Sequence, residues 1–329
     1  MAMQLPWELE EEILCRLPIK SLVRFRAVSK RWNGVHKDKT FQNKHLSRSR
    51  PQFIFLTSSK TYSIDILNPN SNDPTVERTK DGAQLLYVKN GPRLFYDFGL
   101  GYDNSKPDKV YKILGYFYGR EYHFLAAIYD CASQALKFID TPEGNWLKTE
   151  TAEPRKQVSL NGNLYWFSRD MNTLQYSIRS FDFSADIFKT FCKLLPCHIN
   201  HHSDKHLLAV YKRDRFSLLN QCDVTRKVEV WVTKNKIDKE EQVVWIKLMT
   251  LPRTILPMLY ISYYHISYFI YDKTIFMCCD HDKDLGTWIY ILRGDMCKKM
   301  KIHIQMSVNL GRYHCVSTPS LTSIPLFSG

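Results

Sequence analysis

No apolar run in the chain approaches the ~20 residues that a membrane-crossing helix needs. The N-terminus lacks the basic start and short apolar core of a secretory leader, and no Asn-x-Ser/Thr glycosylation site occurs. Neither a membrane nor a secretory route is therefore expected. The nine cysteines are scattered without paired spacing, the usage of reduced thiols in the nucleus and/or cytoplasm. Long basic runs are missing too. The net charge is +13, but residues 1–50 hold 11 Lys+Arg against 5 Asp+Glu, and the other 279 hold 35 against 28. So dilute an excess is not the stripe of a nucleic-acid binder, and none is expected as a partner.

Enzyme signatures are equally scarce. The sequence has no Gly-x-Ser-x-Gly, no glycine-rich phosphate loop and no His-Glu-x-x-His. Gly99-x-Gly101 runs into Tyr102-Asp103 and not into a helix, so it is no dinucleotide fingerprint. His314 and Cys315, adjacent on a strand, point to opposite faces and cannot act as base and nucleophile. Asp280, Asp282 and Asp284 alternate like the start of a calcium loop, but Leu285 and Ile291 stand where glycine and glutamate are required; a hairpin turn is expected there. Cys192, Cys197, His198, His201, His202 and His206 crowd one segment without the spacing of zinc knuckles, which reads as a histidine-rich connection. No catalytic residue, metal or cofactor is expected.

What is present begins at once. In LPWELEEEILCRLPIKSLVRFRAVSKRW, residues 5–32, Leu5-Pro6 opens a helix, and Glu8, Glu10, Glu11 and Glu12 place negative charge at its positive end. Leu9, Ile13 and Leu17 form one stripe with Leu14 beside it, and Pro18 stops the helix at Leu17. A second helix is expected from Ser21 as N-cap through Leu22, Val23, Phe25 and Val28. A third is expected after Ser29, carrying Trp32 and Val35. Three short helices cannot bury all these apolar groups among themselves. Either a partner covers the remainder, or the following region does.

This segment, continuing to Phe41 and His45-Leu46, resembles the F-box: the order Leu-Pro, helix, Leu-Pro, Lys-Ser-Leu, Arg-Phe-Arg, small-Lys-x-Trp is matched in register, with Ser29 where the family usually has cysteine. The resemblance implies docking on the Skp adaptor, and through it cullin. By position the adaptor-facing residues would be Leu5, Pro6, Leu9, Ile13, Leu14, Leu17, Pro18, Leu22, Val28 and Trp32.

After a polar, proline-ended stretch, Lys44–Pro51, the period changes. Short apolar-aromatic runs at 53–56, 110–118, 126–130, 228–232, 275–279 and 287–292 are separated by turn signals at 68–74, 143–145, 161–163 and 280–284, an all-β pattern. A weak repeat centres on Ile64, Tyr129, Phe181, Trp231 and Tyr290. Its last three intervals are close to the ~50-residue period of kelch-like propeller blades. A large aromatic often follows, as Trp146, Phe188 and Trp245 do.

FGLGYDNSKPDKVYKIL (98–114), VSLNGNLYWF (158–167), SFDFS (180–184), FSLLNQCDVTRKVEVWVT (216–233) and SVNLGRYHCVSTPSLTSI (307–324) resemble, in order, the type-1 F-box-associated domain of plant proteins; residues 68–90 match least. The expected organisation is α+β multidomain: a three-helix F-box at 1–46, a linker at 47–52, and a large all-β, propeller-like domain at 53–325. The resemblance implies a non-catalytic substrate receptor of a Skp–cullin–F-box ubiquitin ligase that binds a target protein through the β domain. The alternative is a scaffold or an adaptor-sequestering protein acting outside the ligase.

Overall fold

The computed structural model describes residues 5–35, 37–56, 61–67, 75–81, 97–118, 124–139, 150–152, 157–170, 172–193, 205–237, 243–251, 256, 259, 266–281, 286–302 and 313–318. Two compact units emerge: residues 1–85 with 305–329, and residues 86–304.

The first unit opens with α1 (Trp7–Arg16), α2 (Ile19–Phe25), α3 (Lys30–Val35) and α4 (Lys39–Arg48). Pro6 and Pro18 are both N-caps in extended backbone, and each carbonyl accepts two of the first helical N–H groups: Leu9 and Glu10 on Pro6, Ser21 and Leu22 on Pro18. Leu17, forced extended ahead of Pro18, ends α1. The expected Ser21 N-cap is corrected here. Pro18 presents its carbonyl sooner, so α2 starts at Ile19 and Ser21 lies inside it. Ser29 Oγ does accept from the Trp32 N–H at 3.1 Å, capping α3 as expected. The polar stretch from Lys44 is not all linker. Asp38 caps α4 by accepting from the Thr40 and Phe41 amides, and the helix runs to Arg48.

The remaining elements are strands. The first unit continues with β1 (Gln52–Leu56), β2 (Thr61–Leu67) and β3 (Thr75–Asp81); the second unit holds β4 (Asp97–Asp103), β5 (Val110–Tyr118), β6 (Phe124–Asp130) and β7 (Leu136–Ile139). They are followed by β8 (Glu150–Ala152), β9 (Val158–Leu160), β10 (Asn163–Asp170), β11 (Tyr176–Asp182) and β12 (Ile187–Cys192). Two further sets are β13 (Lys205–Tyr211), β14 (Arg215–Gln221), β15 (Val228–Thr233) and β16 (Trp245–Leu251), then β17 (Ile266–Tyr271), β18 (Thr274–His281), β19 (Gly286–Arg293) and β20 (Met296–Ile302). Last comes β21 (Tyr313–Ser317).

These strands form five antiparallel sheets of the propeller-blade type, all but one built from consecutive strands. In the first sheet the order is β21-β1-β2-β3, so the final strand pairs antiparallel with β1, Phe55 opposite His314. The other sheets run β4 to β7, β8/β9 to β12, β13 to β16 and β17 to β20; in the third sheet β8 and β9 both pair β10.

In the second unit, the second and third sheets meet over Leu114, Tyr116, Trp166, Phe181 and Phe183. The third and fourth meet over Tyr165, Ile178, Leu208 and Phe216, and the fourth and fifth over Leu219, Val230, Tyr268 and Met277. The Asn161-Gly162 turn stitches neighbours together. Both residues have positive φ, Gly162 O accepts from the Tyr102 N–H at 3.0 Å, and the Asn161 amide donates to Ile237 O. Gly101 is needed for this approach, because a Cβ there would collide with the Phe183 ring and the Gly162 carbonyl.

Candidate functional site

The helical unit has a core of its own, made of Leu14, Cys15, Leu22, Val35 and Phe41, with Trp7, Leu17, Phe25 and Trp32 packed partly against it. Leu14 and Leu22 retain only 3% and 7% exposure. They were named above as partner-facing, but they hold the helices together and present little to the outside. Leu9 and Ile13, by contrast, are each 51% exposed, and Leu5 and Val28 are more than a third exposed as well. Pro6 and Pro18 are exposed, and Leu17 and Trp32 are half-buried. The named set therefore splits in two. Leu9 and Ile13 lie one turn apart on α1 and form a solvent-facing apolar stripe. Leu14 and Cys15, on the opposite side, fill the core.

Side-chain bonds fix the helices behind that stripe. The Trp32 indole N–H donates to Glu10 Oε2 at 2.9 Å, joining α3 to α1. Its ring meets Phe25 edge-on, with centroids 5.6 Å apart. The Arg31 guanidinium lies 3.9 Å over the Trp7 ring. On the far side of α1, Glu12 receives Arg48 and Arg16, each at 2.9 Å, and Lys44 bonds Glu11 at 2.9 Å. Hydrogen bonds from Arg48 and then Arg16 hold the Glu12 carboxyl down to about 2. The buried His45 places Nε2 2.9 Å from Leu17 O, tying α4 to the end of α1. Arg50 ion-pairs with Asp65 of β2, anchoring the end of the helical segment to the first sheet. Burial raises the Cys15 thiol, which is therefore a core group and not a nucleophile.

Sequence reasoning missed Glu10 as a partner of Trp32, and it placed Val23 only within a helix although 51% of it is exposed. The signal for Val23 was available: it follows the core residue Leu22 directly, and adjacent helical residues face different ways.

In the β region, Cys192 ends β12 and His206 is the second residue of β13; Cys197, His198, His201 and His202 lie outside the described residues. Among the described residues, no group of three or more His, Cys, Asp or Glu side chains is placed to hold a metal ion. The pair His281 opposite Gly286 joins β18 to β19 as a hairpin, with residues 282–285 outside the description. Among the described cysteines, Cys15, Cys131, Cys222 and Cys315 are free thiols.

Residues 3–38 match the model of the F-box domain, and residues 53–324 match that of the F-box associated beta propeller domain. Protein SUPPRESSOR OF NIM1 1 of Arabidopsis thaliana is 48% identical over 99% of this chain and 100% of its own length. A second Arabidopsis thaliana protein, named as an F-box protein, is 47% identical over 99% of each chain. A third from that plant, named as a putative F-box/LRR-repeat protein, is 44% identical over 98% of this chain and 99% of its own. Among solved structures, a Mycobacterium tuberculosis puromycin-hydrolyzing peptidase matches 77% of this chain and 38% of its own at 10% identity, with a TM-score of 0.35, too slight to bear on fold or activity.

Proposed function

Because this chain belongs to the plant F-box proteins that carry an F-box associated beta propeller domain, we propose that it is the substrate-recognition subunit of a Skp–cullin–F-box ubiquitin ligase, acting in the nucleus and/or cytoplasm. The helical unit docks on the Skp adaptor, and through it cullin, while the β region holds the protein to be modified. The observation that carries this reading is the apolar stripe of Leu9 and Ile13. It stays half exposed although the unit's own core is complete without it. Leu5 and Val28 are exposed as well, and the proposed docking set takes in Pro6, Leu17, Pro18 and Trp32 beside them.

No residue of this chain makes or breaks a bond in that scheme. The contribution is proximity: a tethered target meets the ubiquitin-charged enzyme at an effective concentration on the order of millimolar. Co-precipitation with a Skp-family adaptor tests the docking step, comparing wild type with Leu9→Asp and Ile13→Asp. A charge placed in a buried apolar contact is strongly unfavourable, so both variants should lose the adaptor. Equal recovery of wild type and variants would remove the proposed docking surface. An F-box protein acting outside the ligase would pass this test, yet its loss would leave the partner's half-life unchanged.

A further inference from the structure

The seam between the third and fourth sheets holds a row of polar side chains that the fold leaves without partners. His206 is the second residue of β13, Asn220 stands directly opposite it on β14, and Glu229 stands opposite Asn220 on β15. Across the seam, Arg169 of β10 pairs with Tyr176 of β11. Tyr176 lies between the two groups: its ring centroid is 4.9 Å from that of His206, and Arg169 Cζ is 5.5 Å from it. Phe167 closes the inner side, 6.0 Å from the imidazole. The ends of β10 and β14 and the starts of β11, β13 and β15 coincide here, so the row lies at the turn end of both sheets.

His206 and Asn220 are each 7% exposed. Both ring nitrogens of His206, Asn220 Oδ1 and Arg169 Nε are shielded from solvent and have no hydrogen-bond partner. Buried polar atoms are nearly always paired, and a cluster of four unpaired ones calls for a missing partner. The neighbouring acids do not supply it. Asp170 accepts from the turn amides of Asn172 and Thr173 at 2.8 Å each, and Glu229 is neutralised by Lys247 at 2.9 Å and Lys227 at 3.2 Å. Arg169 has no carboxylate among the described residues, and Lys205 adds a second cation at the start of β13.

We propose that this seam is a carboxylate-binding site, in which Arg169, His206 and Asn220 converge beside Tyr176 on an acidic group of the target protein. Arg169 Nε–H and a His206 ring N–H each donate one bond, and turning the Asn220 amide end for end supplies a third donor. Tyr176 meets the imidazole edge-on at 4.9 Å and Phe167 lies tilted to it at 6.0 Å, and a carboxylate, with two acceptor oxygens, can take bonds from these neighbouring N–H donors together. That the carboxylate belongs to a target rests on the substrate-receptor reading; the recognition chemistry itself does not.

The full chain, labelled with 13C-histidine, would be titrated with two peptides: acetyl-Gly-Gly-Glu-Gly-Gly-amide, and acetyl-Gly-Gly-Ala with a free C-terminus. The glutamine and amidated counterparts and inorganic phosphate serve as controls. At least one carboxylate peptide should shift the His206 ring signal saturably below about 10 mM, its neutral counterpart should not, and the peptide that succeeds identifies a side chain or a C-terminus as the source. Arg169→Gln should weaken that binding at least about tenfold while melting temperature and adaptor recovery stay at wild-type values. No saturable shift, an equal response to the neutral peptide, tighter binding of phosphate, or unchanged affinity in Arg169→Gln would each overturn the site. Loss of adaptor recovery in wild type would overturn only the ligase reading and leave the titration standing.

Discussion

Trp32 reaches back 22 residues to Glu10, its indole N–H meeting the carboxylate at 2.9 Å. This bond joins α3 to the helix that carries Leu9 and Ile13. Trp32→Phe keeps the edge-on contact with Phe25 and removes the donor. Loss of one charge-assisted bond costs about 1.5–3 kcal/mol. The variant should unfold at lower denaturant concentration and bind the adaptor at least several-fold more weakly, both measurable on the purified full chain.

The exposed and buried leucines of α1 should respond differently to truncation. Leu9→Ala removes a half-exposed side chain and should leave stability within about 0.5 kcal/mol while weakening adaptor binding. Leu14→Ala opens a cavity in the small core and should cost about 2–5 kcal/mol. Urea unfolding and a binding assay on the same two proteins separate the roles, and a large stability loss in Leu9→Ala would contradict the exposed stripe.

Gly101→Ala forces a Cβ against the Phe183 ring and the Gly162 carbonyl. Such overpacking typically costs about 1–3 kcal/mol, read as a lower urea midpoint. Gly34 is the control: a Cβ there meets nothing within 4 Å, and the residue lies within α3. Gly34→Ala should raise stability by about 0.5–1 kcal/mol.

Burial holds the His206 imidazole down to about 4, with Lys205 adding to the effect. Arg169 and Tyr176 face it from the third sheet, and Glu229 with Lys227 and Lys247 lies along its own sheet. An unfolded histidine titrates near ~6.5, so the folded state disfavours the proton. The contribution to stability is complete above about pH 6.5 and declines as pH falls toward about 4, by up to roughly 3 kcal/mol. His206→Phe should flatten this part of the pH–stability curve; an unchanged slope would place the titration elsewhere.

Much of the architecture could be read from the chain. The repeat centres Ile64, Tyr129, Phe181, Trp231 and Tyr290 all fall on the third strand of their sheets, where all but Trp231 are buried. Phe188 and Trp245 lie on the fourth strands, and Trp146 lies outside the described residues. The turn signals at 68–74 and 143–145, residues 82–90, and parts of the closing motif at 307–324 also lie outside them.

The number of sheets was not legible, since β21 completes the first one from the far end of the chain and local pattern carries no trace of that. Nor was the division of labour on α1. The stripe Leu9, Ile13, Leu17 has ideal helical spacing, yet the buried side is the one with Leu14 and Cys15. Periodicity shows that a face exists; what covers it depends on neighbours distant in sequence. The Gly99-x-Gly101 pair makes the same point. Gly101 makes room for the Phe183 ring and the Gly162 carbonyl, and Gly99 for the Gln157 and Leu164 side chains, requirements visible only once those residues are in place.

The pairing of β21 with β1 also gives synthesis an order. The helices with the Leu9 stripe leave the ribosome first, whereas the first sheet gains its fourth strand only after residue 317 has been made. On the docking proposed above, a message cut short between sheets would yield a product that carries the Leu9 stripe but leaves its β region unclosed. Such a fragment would compete with the intact chain for the proposed adaptor, so a stop codon placed between sheets should be more harmful than deletion of the whole frame.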